Sequence, residues 1–138
     1  MKISARVQNS HNHHEVILST NDRSHSIPIP PTSSGFGSSA NGGELLFLAL
    51  ATCYCNDIYR EATKRGITVG SVEVEVEGEF GAEGAPARNV TYRAKVAAKS
   101  SAEAIQELMK YTDHVAEVQN TLRAETPVTL SHVEAMTL

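Results

Sequence analysis

The chain is poor in cysteine. Its 138 residues hold only two, Cys53 and Cys55, separated by Tyr54, so any thiol chemistry is confined to one segment. No basic-then-apolar leader opens the sequence, because Met1-Lys2-Ile3-Ser4-Ala5-Arg6 alternates from the start. With so few cysteines, this predicts a reducing, cytoplasmic setting in which both thiols rest reduced. The apolar run that begins at Leu45 is about half the length a membrane span needs, which argues for a buried helix and against a membrane partner. Basic residues are outnumbered, 12 Lys and Arg against 16 Asp and Glu for a net charge of -4. A nucleic-acid surface needs a basic face, so no nucleic-acid partner is expected. There is no H-E-x-x-H, no Ser/His/Asp arrangement and no internal repeat. Gly35-x-Gly37 and Gly42-Gly43 precede a helix but lack the lysine of a phosphate loop and the Rossmann spacing after a strand, and no cofactor is implied.

What is present reads as one domain over residues 1–138, long enough for a single core and too short for two. Ile3, Ala5 and Val7 alternate with polar residues as a first strand, Val16 and Leu18 carry a second, and His25, Ile27 and Ile29 a third that Pro28 places at an edge or near its end. Asn9-Ser10-His11-Asn12 and Asn21-Asp22 supply the turns between them. Pro30 to Gly43 is a loop. One long helix then runs from about Gly43 to Arg65, with Gly66 in the C-terminal capping position. Leu45 to Ala51 go right round the wheel, so that half must be buried on every side. A domain this small cannot supply all that cover, and a second copy of the chain is expected to complete it. The second half turns polar through Asn56, Asp57, Arg60, Glu61, Lys64 and Arg65, with Glu61 and Arg65 as a supportive pair four residues apart.

Val72, Val74 and Val76 alternate with glutamates, and Val90, Tyr92, Ala94 and Val96 with Thr91, Arg93 and Lys95. A hairpin symmetric about the Gly81–Ala87 loop sets Glu75 opposite Arg93 and Glu73 opposite Lys95 on a solvated face, each pair contributing ~0.2–1 kcal/mol. Ser100-Ser101-Ala102-Glu103 has capping-box spacing and opens a helix with Ile105, Leu108, Met109 and Thr112 on one stripe. Val115, Val118 and Leu122 continue as a short helical turn, Thr126-Pro127 breaks it, and Val128, Leu130 and Val133 suggest a last strand. The order of elements is that of an α+β protein with mostly antiparallel pairing.

On a helix Cys53 and Cys55 point roughly 200° apart, so they cannot form a disulfide or jointly hold a metal without unwinding it. A cysteine in an apolar helix is by default a small core residue. His11, His13 and His14 lie in a turn without cysteine or paired carboxylates, a poor zinc site, and no metal is expected. His114 and His132 read as structural.

Gly43-Glu44-Leu45-Leu46-Phe47-Leu48-Ala49-Leu50-Ala51-Thr52-Cys53-Tyr54 resembles the helix motif of the OsmC/Ohr proteins, the osmotically inducible and organic hydroperoxide resistance family, in which an E-L-L run leads through alanines to a reactive cysteine. Val118-Gln119-Asn120-Thr121-Leu122-Arg123, followed by Thr126-Pro127-Val128, is similar to the family's C-terminal C-P-V-S-N-T-L motif and the strand after it. The order of elements agrees along nearly the whole chain. The resemblance implies an OsmC-like fold, two intertwined chains with central helices wrapped by sheets. It also implies thiol-dependent reduction of organic hydroperoxides or hydrogen peroxide in a stress response, through a sulfenic acid that a second cysteine resolves and an external dithiol resets. Cys53 falls on the attacking, catalytic position.

Three departures bear on the chemistry. The resolving cysteine's position is Ala116, and that of the family glutamate is Gly43. Glu44 lies nine residues from Cys53, about 13 Å along the helix and on its other side. No arginine sits in the first hairpin turn to lower the thiol pKa; Arg6 and Arg23 only flank it. Asp57, one turn beyond Cys53, would discourage a thiolate if it faced the same pocket. Two readings follow. One is a one-cysteine thiol peroxidase with an external thiol reductant. The other is a non-catalytic dimer that binds a small apolar ligand at its subunit interface.

Overall fold

The computed structural model describes residues 1–138, and the chain divides into two compact units, Met1–Leu46 and Phe47–Leu138. In the first unit, β1 (Ile3–Ser10), β2 (His13–Thr20) and β3 (Arg23–Ser26) form an antiparallel sheet in that order, with Val7 opposite Val16 and Leu18 opposite His25. Both hairpin turns place an asparagine at positive φ, Asn12 at 59° and Asn21 at 53°, a conformation that asparagine tolerates better than most residues. β3 ends at Ser26, short of the expected Ile27 and Ile29, because Pro28 and Pro30 have no N–H to offer the ladder. Val16 is buried, while Ile3 and Val7 on β1 are exposed. The loop after β3 is tied back to the first turn. The Asn9 amide donates to the Gly37 carbonyl at 3.1 Å and accepts from its N–H at 3.1 Å. Gly35, at φ +90°, sits where a Cβ would meet Asn12 Oδ1 at 2.6 Å, so no other residue fits there without movement of the turn.

Helix α1 covers Gly42–Lys64. Asn41 caps it: its Oδ1 accepts from the Glu44 N–H at 2.8 Å, and the Glu44 carboxylate accepts from the Asn41 N–H at 3.0 Å. This reciprocal box satisfies helix-end donors and gives Glu44 a structural task. Gly66 at φ +65° closes the other end, with the Ile67 N–H returning to the Ala62 carbonyl at 2.9 Å.

In the second unit, β4 (Thr68–Glu79) and β5 (Arg88–Lys99) pair as the expected hairpin, with Glu75 opposite Arg93 and Glu73 opposite Lys95. Those pairs close at 2.9 and 3.9 Å on the exposed face. The inner face, Val72, Val74, Tyr92, Ala94 and Val96, packs against Tyr54, Ile58 and Ala62 of α1 and Leu108 of α2 (Ala102–Val115). Ser101, rather than Ser100, caps α2 by accepting from the Ala104 N–H at 3.1 Å. After Ala116, α3 runs from Glu117 to Arg123.

The single chain leaves part of the first half of α1 uncovered, as expected of a domain too small to enclose it: Leu50 is buried, but Leu48 is 57% exposed. Two other expectations are corrected. In the second half, Asp57 and Glu61 are buried although their neighbours Asn56 and Arg60 face solvent. They lie three and seven residues after Tyr54, on the stripe that turns inward. No strand forms at Val128, Leu130 and Val133, which are all exposed; alternation supplies a side-chain pattern, but a strand also needs an edge to hydrogen-bond.

Candidate active site

Cys53 is half-buried on α1. Helical geometry brings residues four and seven further on to the same face, and Asp57 and Arg60 occupy those places. The Cys53 thiol donates to Asp57 Oδ2 at 3.6 Å and lies 3.9 Å from Glu117 Oε2 of α3. Arg60 Nη1 binds Asp57 Oδ1 at 3.1 Å and Glu117 Oε1 at 2.9 Å, while its Nε reaches Glu61 at 2.9 Å. The site is therefore a thiol at the end of a carboxylate–guanidinium network, assembled from two helices.

Its electrostatics oppose a resting thiolate. Burial pushes the Cys53 thiol up, the Val118 backbone N–H pulls it down, and the charges of Asp57 and Glu117 add to the upward push. Asp57 is also raised, by burial first and then by its hydrogen bond to Glu117 and that residue's charge, against the pull of Arg60. Glu117 is lowered, by its own backbone N–H and by Asp57 and Arg60, despite some desolvation. Two carboxylates at such range do not ionise together easily, and of the pair Asp57 is the one pushed up and Glu117 the one held down. The donor atoms of Cys53, Asp57 and Glu117 lie within 4.8 Å of one another, but the Arg60 guanidinium already occupies the carboxylates, so the set is an ion-pair network rather than a cation site.

The arrangement of α3 depends on buried polar contacts. Gln119, 4% exposed, donates from Nε2 to the Leu50 carbonyl of α1 at 3.0 Å, while its Oε1 is buried without a partner. Arg123 donates to Asp113 Oδ1 at 2.7 Å, and the Tyr92 hydroxyl donates to the same oxygen. Together these tie the two ends of α3 to α1, α2 and β5.

Ala116 is fully buried at the start of α3, so the position that matches the family's resolving cysteine carries no thiol. Cys55 faces away from Cys53 and lines a shallow recess with Ala51, Thr52, Asn56 and Val74. Arg6 and Arg23 belong to β1 and β3 of the first unit. His11 packs on Phe36 and His14 Nδ1 pairs with the Asn9 amide at 2.9 Å, while His114 and His132 are exposed. Sequence reasoning missed Arg60 and Glu117. The helical spacing Cys53-Asp57-Arg60 was a usable signal for the first. Nothing local announces Glu117, which is 64 residues away from Cys53.

The family model for OsmC-like protein matches residues 35–131. No curated protein matches the chain. Among solved structures, the chain is similar to an OsmC-like protein from Mycoplasma pneumoniae, at TM-score 0.59 and 18% identity, covering 88% of this chain and 86% of that one. An OsmC-like protein of unknown function from Vibrio cholerae O1 aligns at TM-score 0.62 and 13% identity, over 88% and 93%. An organic hydroperoxide resistance protein from Elizabethkingia anophelis aligns at TM-score 0.53 and 17% identity, over 89% of both chains. With its α+β antiparallel architecture and a family match across most of its length, the chain belongs to the OsmC-like protein family.

Proposed function

We propose that this protein is a one-cysteine thiol peroxidase acting in peroxide stress, with Cys53 as the catalytic nucleophile. The observation that carries this reading is the half-buried Cys53 thiol aimed at Asp57, 3.6 Å away, with Arg60 and Glu117 closing the network. The hydroperoxide resistance proteins of the same fold, from Elizabethkingia anophelis and Legionella pneumophila, support a redox role against peroxides. Cys53 sulfur attacks the terminal oxygen of ROOH, the O–O bond breaks, and the net change is thiol plus ROOH to sulfenic acid plus ROH. Ala116 and the outward Cys55 offer no resolving thiol. An external thiol therefore condenses with the sulfenic acid, releasing water, and a second thiol frees Cys53 as the disulfide leaves.

The chain works as a homodimer in this reading, because Leu48 on α1 and Ile3 and Val7 on β1 are too exposed for large apolar residues with no partner. Hydroperoxide consumption with excess dithiothreitol tests the activity. It should disappear in Cys53→Ser and persist in Cys55→Ser. Absence of turnover in the unaltered protein would remove the proposal. The alternative, a non-catalytic dimer binding a small apolar ligand, is favoured by the upward push on the Cys53 thiol, and it predicts sluggish alkylation of Cys53 and no peroxide loss.

A further inference from the structure

Resting on the peroxidase reading, a second question is where the proton goes. A thiol held next to carboxylates is not pre-ionised, and an alkoxide is a poor leaving group unless it is protonated as the O–O bond breaks. Both needs are met by one group able to take a proton from sulfur and return it to oxygen.

We infer that Asp57 is that group, a catalytic acid–base residue that removes the Cys53 proton and delivers it to the departing alkoxide. Its Oδ2 accepts from the Cys53 thiol at 3.6 Å, inside the reach that such a transfer uses once substrate tightens the site. Its other oxygen, Oδ1, is held by Arg60 at 3.1 Å. Asp57 is only 6% exposed, so bulk water does not compete for the proton, whereas Cys53 is half-buried and open to a small peroxide. The charged and titratable groups that face it are Cys53 and Arg60 on its own helix and Glu117 on α3. Glu61 stands behind Arg60 and is engaged by Lys64 at 2.9 Å and Arg65 at 3.8 Å.

Glu117 and Arg60 act as positioning residues. Arg60 Nη1 grips both carboxylates, so Glu117 remains the ionised member while Asp57 gains and loses the proton. The step balances. Cys53–SH and Asp57–COO⁻ become thiolate and Asp57–COOH. The thiolate then takes the terminal OH of ROOH, and RO⁻ receives the Asp57 proton as ROH. Sulfur is oxidised by two electrons and the peroxide is reduced by two.

The test compares tert-butyl hydroperoxide, whose leaving alkoxide needs a proton, with peracetic acid, whose leaving acetate does not. In Asp57→Asn, made in the Cys55→Ser background, the ratio of hydroperoxide to peracid rate should fall on the order of 10²-fold, the size expected for a lost general acid. Loss of packing alone would lower both rates together and leave the ratio unchanged, which would overturn the inference while leaving the peroxidase intact. Failure of the unaltered protein to reduce either peroxide would overturn the peroxidase reading and this inference with it. Should Asp57→Asn not fold, Glu117→Gln supplies the second measurement. Removing that charge and hydrogen bond releases part of the upward push on Asp57, so the acid limb of the hydroperoxide profile, where Asp57 must lose its proton to act as base, should move to lower pH. An unmoved limb would overturn the assignment.

Discussion

Gln119 gives the sharpest test of how α3 is held at the site. Its amide donates to the Leu50 carbonyl, and its oxygen is buried without a partner. The Leu50 carbonyl also receives the Tyr54 N–H in the ladder of α1, so losing Gln119 does not orphan it. Gln119→Met keeps the side-chain length. It gives up one hydrogen bond worth about 0.5–1.5 kcal/mol and removes an unsatisfied acceptor whose burial costs about 1–3 kcal/mol. The outcome should lie between a loss of about 0.5 and a gain of about 2.5 kcal/mol. Gln119→Glu should behave oppositely. An ionised side chain has no donor for Leu50 and leaves an uncompensated charge in the same space, a loss of about 3–5 kcal/mol that eases at acid pH as the carboxyl is protonated. Urea unfolding monitored by circular dichroism measures both, with the m-value checking that the unfolding unit is unchanged. A Gln119→Met variant less stable by more than about 2 kcal/mol would refute the reasoning, because the acceptor would then have to be paired.

Ile58 and Leu108 are fully buried at the centre of the core, so truncating either to alanine should cost about 2–5 kcal/mol in the same urea assay. Leu48→Glu should shift sedimentation from dimer to monomer at micromolar concentration, and a wild-type monomer would remove the partner proposed for that face. Toward acid, Glu61, Asp113 and Glu117 all have lowered pKa values: Glu61 through Lys64 and Arg60, Asp113 through Tyr92 and Arg123 against its burial, and Glu117 through its own N–H and its partners. Each adds stability above its ordinary pKa that is lost as pH falls through the lowered value, so melting temperatures should drop from about pH 4.5 downward. Asp57, raised, works in the opposite direction there and softens the drop. Toward alkali, burial pushes Tyr54 up to about 12 from 10.0. Its contribution is complete below pH 10.0 and is lost as pH rises toward 12, so Tyr54→Phe should flatten that alkaline limb.

Much of this protein is legible from local pattern. The period-2 alternation of Val72–Val76 and Val90–Val96 settled a hairpin down to its cross-strand charge pairs, because side-chain direction in a strand depends only on parity. The stripe of Leu108 and Thr112 and the glycine at 66 marked helix faces and ends for the same reason: each signal lies within one or two turns of chain. The motif leading to Cys53 located the thiol. Long-range partners were not legible. Glu117 meets Cys53, and Gln119 meets Leu50, across more than sixty residues, and no periodicity encodes which polar side chain will be drawn into a low-dielectric contact. Asp57 and Glu61 read as solvated charges by composition, yet packing turns them inward, where cationic neighbours offset their burial. The tail at Val128–Val133 shows the converse, a strand pattern left unformed, because a ladder needs a second backbone and sequence alternation cannot supply one.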